Sequence, residues 1–109
     1  MATTKKEVLS VEDKRLYDYE MVVIISPEVV DEPLETKIDG ISQFIIAKGG
    51  AVSDVDRWGK RRLAYPIKHF LEGSYVLLRF QMNPRWGREL EASLQISEDI
   101  LRHLLIKLS

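Results

Sequence analysis

The residues best suited to binding chemistry lie in one run, Arg57 to Ile67, which reads RWGKRRLAYPI. Four of its first six residues are cationic, and a tryptophan lies among them. Arginine makes planar, bidentate contacts with phosphate groups, and an indole ring beside guanidinium groups can stack on a nucleobase. The run continues into an alternating apolar pattern that is typical of a strand, which would hold the cations at fixed spacing. It therefore predicts a surface that contacts a phosphate backbone through Arg57, Trp58, Lys60, Arg61 and Arg62.

Each of these residues also has a structural interpretation. Trp58 could fill the core instead of stacking on a base. The cations could form a solvated strand edge that prevents other strands from pairing with it. The sequence leaves both alternatives open.

The chain offers little for catalysis. It has no cysteine and only two histidines, His69 and His103, which are far apart in the sequence. The adjacent carboxylates of Asp31 and Glu32, like those of Glu98 and Asp99, are better explained by a helix start and a turn. No phosphate-binding glycine loop or nucleophile motif occurs. We expect a protein that is not an enzyme and has no cofactor, metal or small-molecule substrate.

The length of 109 residues fits one compact domain, which we place at residues 17–109 after a flexible N-terminal extension, residues 1–16. The first residues contain lysines but no apolar segment of the kind found in a secretory signal. The longest apolar run, Met21 to Ile25, is far shorter than a membrane span. These features predict a cytoplasmic protein.

The net charge of −1 conceals a division between the two halves of the chain. Residues 1–56 contain 6 Lys or Arg against 12 Asp or Glu, whereas residues 57–109 contain 10 against 5. A nearly neutral protein can therefore present one strongly positive surface, which suits a nucleic acid. Folding could also mix these charges in space.

The elements that would position the cationic run can be placed from the pattern of the sequence. Tyr17 to Ser26 is an apolar, β-branched run and predicts a central strand. A helix follows, with Asp31 as its N-cap and Gly49-Gly50 at its end. Residues 51–67 form a long strand in which Gly59 marks a bulge and Pro66 indicates a sheet edge.

The second half of the chain repeats this alternation. We predict a loop at residues 68–74, a strand at 75–82, a helix at 85–95 and a last strand at 100–108. The order β-α-β-β-α-β predicts an α+β, ferredoxin-like sandwich, with a four-stranded antiparallel sheet and two helices on one face. Right-handed crossovers would place the first and third strands in the centre and the other two at the edges.

RNA-recognition motifs share this topology, but their sheets carry a signature of paired aromatic residues. Tyr75 and Phe80 do not form that signature, so the cationic edge is the better candidate for RNA.

Several motifs, in order, resemble the family of bacterial small-subunit ribosomal protein number six. They are Tyr19-Glu20, Ile25-Ser26-Pro27, Gly49-Gly50, the run Trp58 to Ile67, Glu72-Gly73-Ser74-Tyr75, Leu90 with Leu94, and Ile100-Leu101-Arg102. The resemblance covers about residues 17–108. Two features depart from the family: a longer N-terminal segment, and the lack of the charged tail that many members carry after the last strand.

The resemblance implies a ferredoxin-like fold, a place on the cytoplasmic ribosome, and binding to the central domain of 16S rRNA. It also implies a heterodimer with ribosomal protein number eighteen. Arg57, Lys60, Arg61 and Arg62 fall in the basic segment that approaches rRNA in this family. Further residues fall on or near surfaces for rRNA or the protein partner: Tyr19, Leu63, Tyr65, Ile67 and Lys68.

A different class of function is also compatible with the predicted fold. Ferredoxin-like modules can sense a small ligand or regulate, pairing through their edge strands. Such a protein would be a homodimer that copurifies with a metabolite and lacks RNA.

Overall fold

The computed structural model describes residues 15–108, so the predicted N-terminal extension lies outside the described residues except for its last two positions. The elements are β1 (Tyr17–Ile25), α1 (Asp31–Ala47), β2 (Ala51–Ile67), β3 (Phe70–Met82), a 3₁₀ turn (Pro84–Trp86), α2 (Gly87–Ile96) and β4 (Ile100–Lys107). Their order is the predicted β-α-β-β-α-β. Within residues 15–108, neither helix has both the length and the apolar character needed to cross a membrane.

The four strands form one antiparallel sheet in the order β2-β3-β1-β4. The predictions that β1 and β3 are central and that β2 and β4 are edges are therefore confirmed. Pro66, which cannot donate a hydrogen bond to a neighbouring strand, lies on the edge strand β2, as expected.

The core lies between the sheet and the two helices. Alternate residues of β1 and β3 face the helices, among them Met21, Val23 and Phe80, and are almost fully buried. Helix α1 contributes Ile38, Ile41 and Ile45 at steps of three and four residues, and α2 contributes Leu90 and Leu94. This spacing places the apolar side chains of each helix on one face. Among residues 15–108, no helix lies on the other side of the sheet, and we call this side the open face.

The predicted loop at residues 68–74 is wrong. Only Lys68 and His69 form the turn, and β3 begins at Phe70, five residues before the predicted strand. Gly73 suggested a loop, but it is a strand residue at a point of close packing. A Cβ atom there would lie 2.4 Å from Cγ2 of Ile24. Any other residue at this position would force the Ile24 side chain to move.

Two helix boundaries also differ from the predictions. The N-cap of α1 is Val30, not Asp31, and no side chain caps the helix. The predicted second helix is divided into the 3₁₀ turn and α2. The side chain of Asn83 accepts a hydrogen bond from the backbone N–H of Arg85 and thereby caps the 3₁₀ turn.

Candidate RNA-binding surface

The strands β2 and β3 extend beyond the rest of the sheet as a hairpin. The last residue of β1, Ile25, pairs with Ser74, so residues 61–73 project past β1; we call them the hairpin arm. A strand of 17 residues is about 56 Å long, and the long axis of the molecule measures 57 Å against 24 Å in the other two directions. The arm therefore carries part of the predicted cationic run away from the core.

A bulge in β2 decides which way each cation points. Arg57 pairs with Val76 and Gly59 pairs with Tyr75, so Trp58 is an extra residue on β2. Gly59 has a φ of 83°, which is the left-handed conformation that glycine adopts at such bulges. The predicted bulge at Gly59 is confirmed. It places Arg57 on the helix side of the sheet and Trp58 on the open face.

Trp58 is a surface residue and does not fill the core. Its side chain is 39% exposed and lies parallel to the ring of Tyr75, with 6.2 Å between the ring centroids. The indole N–H donates a hydrogen bond of 3.0 Å to Asp56. The guanidinium of Arg61 lies 5.4 Å from the indole centroid, at cation–π distance. This resolves the alternatives for Trp58 in favour of an exposed aromatic surface.

Arg57 is neutralised by a neighbouring carboxylate. Its Nε and Nη2 atoms donate to the two carboxylate oxygens of Glu35 at 2.7 and 2.6 Å. These hydrogen bonds lower the pKa of Glu35 and raise the pKa of Arg57. Because Glu35 belongs to α1, the pair ties β2 to the helix. The other three cations of the run do not share this arrangement.

Lys60, Arg61 and Arg62 are exposed, and within residues 15–108 none of them forms an ion pair with a carboxylate. Three uncompensated charges on consecutive residues produce a strong local positive potential. Consecutive strand residues point to opposite faces, so the cations surround the base of the arm.

The outer part of the arm is irregular. Four residues of β2, at 63–66, face one residue of β3, so the strand bows outward here. Leu63 and Ile67 are half-buried, whereas Tyr65 is exposed and its hydroxyl accepts a hydrogen bond from Nη1 of Arg102 in β4. Lys68 is exposed at the tip, where both turn residues have positive φ values, 48° and 61°.

Tyr19 is a core residue. Its side chain is only 6% exposed and its ring is stacked on Phe80 at a centroid distance of 5.6 Å. Burial, with a smaller effect of Tyr17, raises the pKa of its phenol. The expectation that Tyr19 contacts a partner therefore does not fit the structure, since the ring offers almost no surface.

The sequence analysis did not find an apolar patch on the open face. Leu104 and Ile106 of β4 are 57% and 41% exposed there, while Leu105 between them packs against the core. The strand pairing puts Val22 of β1 directly beside Leu104. The consecutive apolar residues Leu104, Leu105 and Ile106 indicated a strand with two apolar faces, but only the fold shows that no helix within residues 15–108 covers one of them.

The fold and the candidate surface together define the protein as a ferredoxin-like sandwich with a projecting cationic hairpin. Comparisons with known proteins identify the family. The family model for ribosomal protein S6 matches residues 18–107. The chain is 39% identical to the small ribosomal subunit protein bS6 of Dehalococcoides mccartyi strain 195, over 94% of each chain. It is 40% identical to bS6 of Moorella thermoacetica, over 84% of this chain and 93% of that one.

A solved structure agrees with these sequence matches. The crystal structure of 30S ribosomal protein S6 from Thermotoga maritima superposes with a TM-score of 0.81 at 29% identity, covering 86% of this chain and 89% of that one. The chain belongs to the ribosomal protein S6 family. It is thus a structural protein of the small ribosomal subunit, located on the cytoplasmic ribosome, and not an enzyme.

The pair between Arg57 and Glu35 leads to a prediction about pH. Changing Arg57 to Gln should raise the pKa of Glu35 toward its ordinary range, because the hydrogen bonds that lower it are lost. A carboxyl group whose pKa is lowered on folding stabilises the fold above its unfolded pKa, and this contribution disappears as the pH falls through its folded pKa. NMR titration of the Glu35 carboxyl carbon would measure the shift. An unchanged pKa in the variant would contradict the pairing.

Proposed function

We propose that this protein binds the central domain of 16S rRNA and forms a heterodimer there with ribosomal protein number eighteen. The observation that carries the RNA part is the group of three cations without an ion pair, Lys60, Arg61 and Arg62, which lie beside the exposed Trp58 at the base of the hairpin arm. Membership of the ribosomal protein S6 family supports both parts of the proposal.

The chemistry of the arm suits an RNA backbone. Arg61 and Arg62 can each present two N–H groups to one phosphate, and Lys60 adds a point charge. Trp58 keeps part of its indole exposed while Tyr75 supports the ring, so a nucleobase could stack there at little entropic cost. Lys68 at the tip would extend the contact along the backbone. Arg57 has a different role in this proposal, since Glu35 already neutralises it.

The open face is our proposed site for the protein partner. A sheet face in water normally carries polar side chains, whereas here Leu104 and Ile106 are exposed beside Val22. Tyr65 borders this face because it reaches Arg102, and Leu63 and Ile67 lie in the same part of the arm. A partner seated on the open face would cover these apolar groups next to the RNA-binding cations.

Cosedimentation tests the proposed function as a whole. The protein should sediment with small ribosomal subunits in a cell lysate and be released by high salt. A homodimer that carries a metabolite and no RNA would instead support the ligand-sensing interpretation.

A salt titration tests the electrostatic part. The purified protein should bind a transcript of the 16S central domain with a logarithmic affinity that falls with the logarithm of salt concentration. Each phosphate contact contributes about −0.7 to −0.9 to this slope, so contacts by Lys60, Arg61 and Arg62 predict a slope of about −2 or steeper. A fluorescence anisotropy titration between about 0.05 and 0.3 M salt measures it. A slope near zero would contradict a backbone contact.

A further inference from the structure

The end of the sheet opposite the hairpin arm carries a second group of cations. The start of β1, the ends of β3 and β4, the last turn of α1 and the start of α2 all meet at this end. We call the group the second cationic surface: Arg15, Lys48, Arg85, Arg88 and Lys107. The sequence analysis did not single it out, because these residues are scattered along the chain.

Aromatic rings hold four of these cations in place. The Lys48 ammonium and the Arg85 guanidinium lie 4.5 and 5.2 Å from the ring centroid of Trp86. Lys107 and Arg15 lie 4.1 and 5.6 Å from the ring centroid of Tyr17. A cation over an aromatic face is positioned without losing its charge, unlike a cation bound to a carboxylate. The cations are thus arranged in advance for an anionic ligand.

Few carboxylates neutralise this surface. Within residues 15–108, Lys48 is the only one of the five that forms an ion pair, at 3.6 Å from Glu89. Elsewhere in the fold, by contrast, Lys37, Arg57 and Arg79 are all paired with acidic side chains. The second cationic surface therefore keeps most of its charge.

Two of these arginines lie where the helix dipole does not favour a positive charge. Arg85 and Arg88 lie just before and within the first turn of α2, where the helix dipole favours acidic residues and disfavours basic ones. An unfavourable interaction with the helix dipole that no ion pair compensates is typical of residues that are retained for binding. Both side chains are exposed, so a large ligand could reach them.

We propose that the second cationic surface binds the phosphate backbone of RNA at a point separate from the hairpin arm, so that the protein bridges two backbone segments. The distance between the two surfaces supports two contacts. Lys60 pairs with Ser74, and Met82 at the other end of β3 lies eight residues further, which is about 27 Å along the strand. This exceeds the Debye length of about 8 Å at physiological salt. The inference rests on the proposed RNA-binding function.

The double variant Arg85→Gln and Arg88→Gln tests the proposal. The variant should lose two phosphate contacts, each of which contributes about 0.7 to 0.9 to the slope of log affinity against log salt concentration. At about 0.1 M salt, binding to the 16S central-domain transcript should therefore weaken roughly 25- to 60-fold. The slope should become less steep by about 1.4 to 1.8. The thermal midpoint should change little, because the variant loses the contact between Arg85 and Trp86 but also removes two charges that oppose the helix dipole. A purely structural role would instead lower it.

The control is Lys37→Gln with Arg79→Gln, which removes the same charge from cations that are already paired. An equal loss of affinity in the control would overturn the proposal in favour of a net-charge effect. Unchanged affinity in Arg85→Gln, Arg88→Gln would also overturn it, even if variants of the hairpin arm bind poorly. If the unaltered protein does not bind the transcript, both this inference and the proposed function fail.

A probing experiment tests the bridge itself. The chain has no cysteine, so Ala64→Cys and Ala92→Cys each provide one attachment point for an iron chelate that cleaves nearby RNA. Ala64 lies on the hairpin arm and Ala92 lies one turn of α2 after Arg88, and both are exposed. We expect cleavage in two different segments of the transcript. Cleavage of one shared segment, or none from position 92, would overturn the bridge.

Discussion

Replacing Lys60, Arg61 and Arg62 together with glutamine is expected to weaken binding to the 16S central-domain transcript roughly 100- to 500-fold at about 0.1 M salt. The estimate follows from the loss of three phosphate contacts, each of which contributes about 0.7 to 0.9 to the slope of log affinity against log salt concentration. The salt dependence should flatten by about 2 to 3 in the same titration. The three side chains are exposed and form no ion pair within residues 15–108, so the thermal midpoint should change little.

Two further measurements distinguish this explanation from others. The charge-preserving pair Arg61→Lys and Arg62→Lys should keep the salt slope but lose part of the affinity, because lysine cannot make the bidentate contact. If the triple variant binds RNA normally, these side chains are not the contact. If it unfolds instead, the cations protect a strand edge, as in the structural interpretation.

Replacing Leu104 and Ile106 with aspartate is expected to weaken the proposed heterodimer with ribosomal protein number eighteen by roughly 100-fold or more. Burial of one such apolar side chain contributes about 1.5 to 3 kcal/mol, and each 1.4 kcal/mol is about tenfold in affinity. Two lost side chains, each replaced by a charge that must be desolvated, account for the effect. Isothermal titration calorimetry with the purified partner measures it.

The chain offers a matched control for this variant. Ile96 at the end of α2 is 81% exposed and lies on the helix side, so Ile96→Asp should leave the heterodimer unchanged. Both proteins should fold, because all three positions are exposed in the isolated chain. Full partner affinity in the Leu104→Asp, Ile106→Asp variant would place the heterodimer interface elsewhere.

The topology could be predicted because each element carried its own signal. Residues 17–26 were rich in β-branched and aromatic residues, the apolar residues at steps of three and four from Leu34 to Ile45 indicated a helix, and Pro66 indicated an edge. The error at residues 68–74 has a specific cause. Gly73 indicated flexibility, whereas its lack of a side chain serves the close approach to Ile24. A sequence does not distinguish these two uses of glycine.

The residues of the cationic run could be identified in the sequence, but the contacts that each side chain makes could not be predicted. Arg57 and Arg61 are equivalent in sequence, yet one binds Glu35 and the other lies over Trp58. That difference depends on the bulge at Gly59, which changes the face on which each side chain lies, and on the position of α1. Likewise, Tyr19 and Tyr65 are both strand tyrosines, and only the register shows that one is buried and the other exposed.

The hydrogen bond between Arg102 and the Tyr65 hydroxyl connects the two proposed binding surfaces. It joins the arm that we assign to RNA with the strand that we assign to the protein partner. A ligand that immobilises one of these elements lowers the entropic cost of ordering the other, so the two binding events are coupled. Thermodynamic linkage is reciprocal: whatever factor the partner adds to the affinity for rRNA, the rRNA must add to the affinity for the partner. In the proposed complex, the same coupling factor therefore applies whichever component binds first.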